Sequence, residues 1–443
     1  MYTDIEMQDI SKSALSMRWI AVDALQAVLK RKQMLDIFFS QHKGYLNLPK
    51  RDRAFVRMLV MTALQHLGEI DAVLAARLDR KLHKLDPKDI LNILRIGAAQ
   101  VLFMNTQDHA AVDTTVELAK KMRMKKQSGM VNAILRKLIK QRGDILLEEC
   151  QSKQNIPSWL WDIWCADHGE DIALDIADAI QNVAPIDITV KSDPETWAEK
   201  LDAEILPNGA LRLGETAHIP ELPGYDEGAW WVQNMAASIP VSLLGDLTGK
   251  RVLDACAAPG GKTAQLVNAG AHVVALDRSK KRLERLDENM QRLDMTASVD
   301  VVCADAATYE PDELFDVVLL DVPCTATGTV RSQPEVMHLR QPQDLEKLQQ
   351  TQQRLLAHAA SLLKPDGVLI YCTCSMQKAE GEGVIQHVLT EDPSLFRIDA
   401  ITENEIFENC NFIDNQGFVR VFPFNLQENG GLDGFFVARL IRC

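Results

Sequence analysis

From residue 250 onward the chain alternates short apolar runs with helix-length segments, and few folds satisfy that alternation. The apolar runs are 251–256, 272–277, 299–305, 315–323 and 367–375; the helical segments between them are 263–269, 280–293 and 342–363. Strands alternating with helices imply an α/β domain with a mostly parallel sheet covered on both faces. Ligands of such sheets sit at the carboxyl ends of the strands. There this sequence places Asp254 and Cys256, Asp277, Asp305, Asp321 and Cys324, and Cys374.

Two of these strand ends, Asp321-Val-Pro-Cys324 and Thr373-Cys374-Ser375, carry thiols 50 residues apart. Both follow a glycine turn after the first strand, Cys256-Ala-Ala-Pro-Gly-Gly-Lys-Thr263. Small residues let the backbone approach a ligand, and the helix N-terminus behind them favours anionic or polar groups. The turn spells neither the dinucleotide fingerprint nor the P-loop. Asp277, closing the second strand, could accept both hydroxyls of a ribose, and Asp305 would come within reach of an adenine edge. Helix capping is the plainer role for any one aspartate; four at consecutive strand ends argue for a nucleotide-like cofactor. Two thiols beside such a cleft suit covalent attack on a substrate that is hard to activate. Cytosine is one, because its C5 is a poor nucleophile until a thiolate adds at C6.

At 443 residues the chain should hold two or three domains. Residues 14–142 read as helices, with spans at 14–31, 50–68, 70–82, 87–104, 109–122 and 129–142. Asp86 before Pro87 reads as an N-cap followed by proline at the first helical position. The net charge of −14 conceals an asymmetry. Residues 1–142 hold 25 Lys/Arg against 14 Asp/Glu, and residues 143–443 hold 23 against 48. Residues 120–142 carry nine basic residues and no acid, a surface suited to phosphates without sequence reading. Trp159, Trp161 and Trp164 could stack on bases, but their spacing favours packing. Residues 184–240 suggest a small α/β element: strands at 186–190 and 210–213 and a helix at 195–201. Nine scattered cysteines without a CxxC pair fit a reducing cytoplasm, and no metal site is expected. Residues 1–9 are acidic with no apolar core, so no secretory leader is expected, and no apolar run is long enough for a membrane span.

Three motifs in order, residues 254–263, 321–328 (Asp-Val-Pro-Cys-Thr-Ala-Thr-Gly) and 371–375 (Tyr-Cys-Thr-Cys-Ser), resemble those of the RNA (cytosine-5) methyltransferase family, which uses S-adenosylmethionine. Trp231-Val-Gln-Asn234 and Asp433-Gly-Phe-Phe-Val-Ala-Arg-Leu440 resemble its flanking motifs. The helical region, with Val131-Asn-Ala-Ile-Leu-Arg136, resembles a NusB-like RNA-binding domain, a fusion found in bacterial 16S rRNA enzymes of the RsmB (Sun/Fmu) type. The resemblance implies a NusB-like domain at 1–142, a linker helix and small α/β element at 143–235, and a class I (Rossmann-like) methyltransferase domain at 236–443. It implies S-adenosylmethionine bound by Cys256, Ala257, Ala258, Pro259, Gly260, Gly261, Lys262, Asp277, Arg282, Asp305 and Asp321. Cys374 would add to C6, Cys324 would promote release of the methylated product, and Asp321 would lie between the methionyl end and the base. The partner would be 16S rRNA of the small ribosomal subunit, and the enzyme a cytoplasmic monomer.

Departures from the family pattern leave the cofactor and thiol positions themselves intact. Val322 stands where alanine is common, Thr325 where serine is common, and Asn234 replaces an aspartate. Residues 330–339 lack an expected second arginine and a tryptophan, and Gly381 follows Glu380 where asparagine is usual. These bear on substrate choice more than on catalysis. Three alternatives compete: a tRNA or large-subunit rRNA enzyme, opposed by the helical domain; a non-catalytic assembly factor, opposed by the intact thiols; and a DNA cytosine methyltransferase, opposed by the Thr-Cys motif.

Overall fold

The computed structural model describes residues 14–214, 219–408 and 410–443; the N-terminal stretch read above for a leader lies outside them. The chain divides into two compact units. One runs to Gln181 and also takes in Val330–Arg340; the other comprises Asn182–Thr329 and Gln341–Cys443.

The first unit is all-helical: α1 (Ala14–Leu29), α2 (Leu35–Gln41), α3 (Lys43–Leu46), α4 (Lys50–Gln65), α5 (Leu67–Ala75), α6 (Asp89–Leu102), α7 (Asp108–Lys121), α8 (Ser128–Lys140), α9 (Ser158–His168) and α10 (Glu170–Ala179). Helices α6, α7 and α8 pack closely because Gly97 has no side chain: a Cβ there would come within 2.9 Å of the Leu135 methyls and 3.0 Å of Thr115. Helix α8 buries Val131, Ile134, Leu135 and Leu138. Its outer face exposes Arg136, Lys137 and Lys140, and Lys121, Lys125 and Lys126 are exposed just before it. Trp161 and Trp164 of α9 are buried, so packing accounts for both.

Two local expectations fail here. The break after α4 falls at His66 rather than beyond Gly68: His66 stacks on Phe103 at 3.9 Å, and Gly68 passes so near Gln154 that a Cβ would lie 1.7 Å from its carbonyl. The Asp86–Pro87 cap does not form. Helix α6 opens at Asp89 after Lys88, with no side-chain cap, and the Asp86 carbonyl instead accepts from Gln127 Nε2 at 3.2 Å. The segment Val330–Arg340, with α15 (Val336–Leu339), belongs to this unit. Gln65 Nε2 donates to the Arg331 carbonyl at 3.1 Å, Leu35 N to Glu335 Oε1 at 3.3 Å and Lys32 Nζ to the His338 carbonyl at 2.8 Å. Among the described residues no single helix is long and apolar enough to cross a membrane.

The second unit begins with β1 (Ile186–Val190), α11 (Pro194–Leu201), β2 (Glu204–Ile205), β3 (Leu211–Leu213) and β4 (Trp230–Val232). These strands form an antiparallel sheet in the order β2-β3-β1-β4. Helix α12 (Met235–Ser242) leads into the main sheet. Its elements are β5 (Arg251–Ala255), α13 (Gly261–Asn268), β6 (His272–Asp277), α14 (Lys280–Arg292), β7 (Val299–Cys303), β8 (Phe315–Asp321), α16 (Pro342–Leu362), β9 (Leu363–Thr373), α17 (Glu382–Glu391), β10 (Phe396–Ile398), β11 (Val419–Val421) and β12 (Phe435–Arg442).

The order is β10-β12-β9-β8-β5-β6-β7, with β11 paired to β12. Strands β9, β8, β5, β6 and β7 are parallel and β12 is antiparallel to β9. Both faces of the central strands are buried, as their apolar runs require, while edge strand β7 is largely exposed. Val318, Leu320, Leu369 and Tyr371 join one core with Leu355 and Leu356 of α16. Their alternates Val317, Leu319, Ile370 and Cys372 join the other with Met235 of α12 and Leu266 of α13. The order in which strands are added to the sheet reverses between β5 and β8, so the switch point, where such sheets bind ligands, lies at Ala255 and Asp321.

Candidate active site

The loop after β5 crosses this switch point. Cys256 is held at φ 68° and Gly260 at φ 102°. A Cβ on Gly260 would come 3.1 Å from Leu286 and 3.3 Å from Met290, so glycine suits both the backbone angle and the fit against α14. Helix α14 braces the loop from behind: Arg282 donates to the Ala258 carbonyl and Asn289 Nδ2 to the Pro259 carbonyl at 2.9 Å. Burial, reinforced by the charges of Asp321 and Asp277, pushes the Cys256 thiol up to about 12.

A cleft of about 440 Å³ opens in front of the loop, lined among others by Gln233, Asp254, Gly260, Gly261, Lys262 and Asp321. Asp254 is fully buried and accepts from Thr263 Oγ1 at 2.6 Å through Oδ2. Its Oδ1 is left without a hydrogen-bond partner. Burial raises its pKa to about 7. Lys262 Nζ lies 2.8 Å from Asp321 Oδ2 and 5.2 Å from the centroid of Phe435. Burial opposes the Lys262 charge, yet Asp321 prevails and holds the ammonium above its ordinary pKa.

The two thiols meet just beyond the ends of β8 and β9. Asp321 pairs in register with Cys372, and Val322 N donates to the Cys372 carbonyl at 3.1 Å. The chains then leave β8 and β9 side by side, and Cys324 Sγ stands 3.4 Å from Cys374 Sγ. The hydrogen bond with Cys324, then burial and the Asp321 charge, push the Cys374 thiol well above its ordinary pKa, while Lys262 pulls it down.

The remaining expected cofactor residues lie off the cleft lining. Asp277 is buried at the end of β6, its Oδ1 accepting from Ser279 N at 2.9 Å and its Oδ2 3.0 Å from Arg282 Nη1. Asp305 is exposed two residues beyond β7, where its Oδ1 accepts from Ala307 N at 2.9 Å. Sequence reasoning missed two further groups. Gln233 joins Trp231, Thr189 and Gln265 through its amide at 2.8–2.9 Å. Cys372 donates toward Asp321 Oδ1 at 3.7 Å. Both lie inside motifs quoted above, but their contacts with Thr189, Gln265 and Asp321 come from segments distant in sequence and could not be read from the motifs.

An open α/β sheet with an antiparallel strand beside β9, and a glycine loop facing carboxylates at its switch point, defines a class I methyltransferase, dependent on S-adenosylmethionine. The residues fit that cofactor: the loop backbone is open to the cleft, and Asp254 presents an unpartnered buried oxygen beside it. A family model described as 16S rRNA methyltransferase RsmB/F matches residues 241–441, and one described as the NusB family matches residues 15–140. The chain is 35% identical to ribosomal RNA small subunit methyltransferase B of Xylella fastidiosa (strain 9a5c), over 88% of this chain and 92% of that protein. It is 30% identical to the protein of the same name from Erwinia tasmaniensis, over 97% and 100%. The crystal structure of PH0851 shares the fold at a TM-score of 0.72 and 23% identity, covering 96% of this chain and 98% of that one. A methyltransferase homolog protein from Pyrococcus horikoshii matches at 0.53 and 26% identity, covering 64% and 94%. The chain belongs to the RsmB/F family of methyltransferases.

Proposed function

We propose that this enzyme methylates C5 of a cytosine in 16S rRNA through a covalent adduct of Cys374 with C6. The observation that carries this reading is the approach of Cys324 and Cys374 to 3.4 Å beside Asp321, at the ends of adjacent parallel strands. The names of the relatives, small-subunit rRNA methyltransferases, support the substrate.

The loop from Cys256 through Lys262 would hold the cofactor with Asp277, Arg282, Asp305 and Asp321. Cys374 is the attacking group and must first lose its proton, because the thiolate is the nucleophile. Lys262 favours that loss and the Asp321 charge opposes it. Attack forms the C6–S bond and moves the C5=C6 electron pair into the ring, making C5 nucleophilic. The bound cofactor supplies an electrophilic sulfonium methyl. Cys324 then assists removal of the C5 proton; the C5–H pair restores the double bond as the C6–S pair returns to Cys374. Asp321 lies between the cleft and the thiols and, with Lys262, orients what enters.

Residues 1–142 would be the RNA-binding domain, 143–235 a connector and 236–443 the catalytic domain, in a monomeric cytoplasmic enzyme. The exposed lysines around α8 would meet phosphates. Bisulfite sequencing of 16S rRNA from a strain lacking the gene tests the reading. One cytosine should lose methylation and regain it on complementation; an unchanged 16S pattern with a lost tRNA or large-subunit site would redirect it.

A further inference from the structure

We propose that Glu380 is a positioning residue for the release half of this reaction, holding the loop that presents Cys324; the inference rests on the roles given above to the two thiols. Glu380 has no exposed surface and, among the described residues, no ion-pair partner. A buried carboxylate without a cation is costly unless hydrogen bonds satisfy it, and here donors converge on it from two segments. Thr325 N donates to Oε1 at 2.9 Å, the Thr325 hydroxyl donates to Oε2, and Gln352 Nε2 donates to Oε1 at 2.9 Å.

Gln352 Nε2 also donates to the Pro323 carbonyl at 2.9 Å. The residues immediately before and after Cys324 are thus tied to one Gln352–Glu380 pair. That pair has rigid footings. Gln352 is buried on the long helix α16, and the Tyr371 hydroxyl of β9 donates to the Glu380 carbonyl at 2.7 Å.

The attacking thiol has further anchors of its own, although the Thr325 hydroxyl also lies 3.3 Å from the Ser375 hydroxyl. Gly328 N donates to the Cys374 carbonyl at 2.8 Å, and Arg420 Nη1 donates to the Ser375 carbonyl at 2.8 Å. Removing the Glu380 carboxylate should therefore loosen Cys324 more than Cys374, whose segment Arg420 still holds. Attack and methyl transfer would proceed, and loss of the C5 proton with departure of Cys374 would slow.

The test incubates the full chain with 16S rRNA and S-adenosylmethionine and reads covalent complex on denaturing gels beside turnover and KM. Glu380→Ala should accumulate adduct as Cys324→Ala does and lose at least tenfold in turnover, with the cofactor KM within twofold of wild type. Glu380→Gln keeps one acceptor oxygen and should recover part of the turnover and trap less adduct. Gln352→Ala should show the same signature more weakly and serves if Glu380→Ala does not fold. If Cys324→Ala traps adduct while the Glu380 and Gln352 variants release product normally, or are slow without adduct, the inference falls and the thiol roles stand. If Cys324→Ala itself traps nothing, the thiol roles fall and take the inference with them.

Discussion

Replacing Lys262 by methionine should both destabilise the catalytic unit and move its activity to higher pH. The ammonium sits 2.8 Å from Asp321 Oδ2, with side-chain exposures of 12% for Lys262 and 32% for Asp321. Two unit charges at that distance attract by about 6 kcal/mol at an effective dielectric of about 20. Water at the partly exposed Asp321 screens much of this, and freeing the lysine from burial offsets more, leaving a net loss of about 2 kcal/mol. The second consequence follows from sign. Lys262 pulls the Cys374 pKa down, so its removal raises the pKa further, and the rise of activity with pH must shift to more alkaline values. Hydrogen exchange along β5 and β8 reads the first effect, and a pH profile of single-turnover methylation reads the second. Unchanged exchange together with an unshifted profile would refute the reasoning.

Other perturbations separate the parts of the site. Folded Asp254 keeps its proton to about pH 7, against an ordinary value of 3.8. In that window the folded state binds a proton that the unfolded chain has lost, so the Asp254 contribution to stability falls as pH rises and is level above 7. Asp254→Asn should thus gain on wild type between pH 4 and pH 7, by up to roughly 4 kcal/mol; a difference in unfolding free energy that does not vary with pH contradicts this. Asp277→Ala should weaken S-adenosylmethionine binding by about 1.5–3 kcal/mol through loss of a charge-assisted contact, and unchanged calorimetric affinity in a folded variant removes Asp277 from the cofactor site. Neutralising Lys125, Lys126, Lys137 and Lys140 should lower rRNA affinity and flatten its salt dependence while sparing cofactor affinity; an unaltered salt slope would make that surface merely solubilising.

The main sheet was legible because its central strands are buried on both faces and write themselves as nearly continuous apolar runs. Residues 186–190 and 272–277 were read at the bounds the structure gives to β1 and β6. Strands β10 and β11 went unread because they have three residues each and exist through pairing with β12. The buried stripe of α8 followed directly from its period, whereas the cap at Asp86 failed because a good capping pair was outcompeted by tertiary contacts. The thiols and the glycine loop could be found because their chemistry is confined to a few adjacent residues. The clamp on Cys324 could not, since Thr325, Gln352 and Glu380 are drawn together from positions 28 and 55 residues apart. Nor does any local pattern assign Val330–Arg340 to the helical unit.

The central claim is the division of labour between two thiols only 3.4 Å apart, and denaturing gels of the single variants with 16S rRNA and cofactor test it directly. Cys374→Ala should give neither methylated rRNA nor a covalent complex. Cys324→Ala should attack and transfer the methyl group but hold its product, so a covalent complex should accumulate. A complex trapped by Cys374→Ala and absent from Cys324→Ala would reverse the assignment, and methylation surviving in Cys374→Ala with no covalent complex in either variant would end the covalent account.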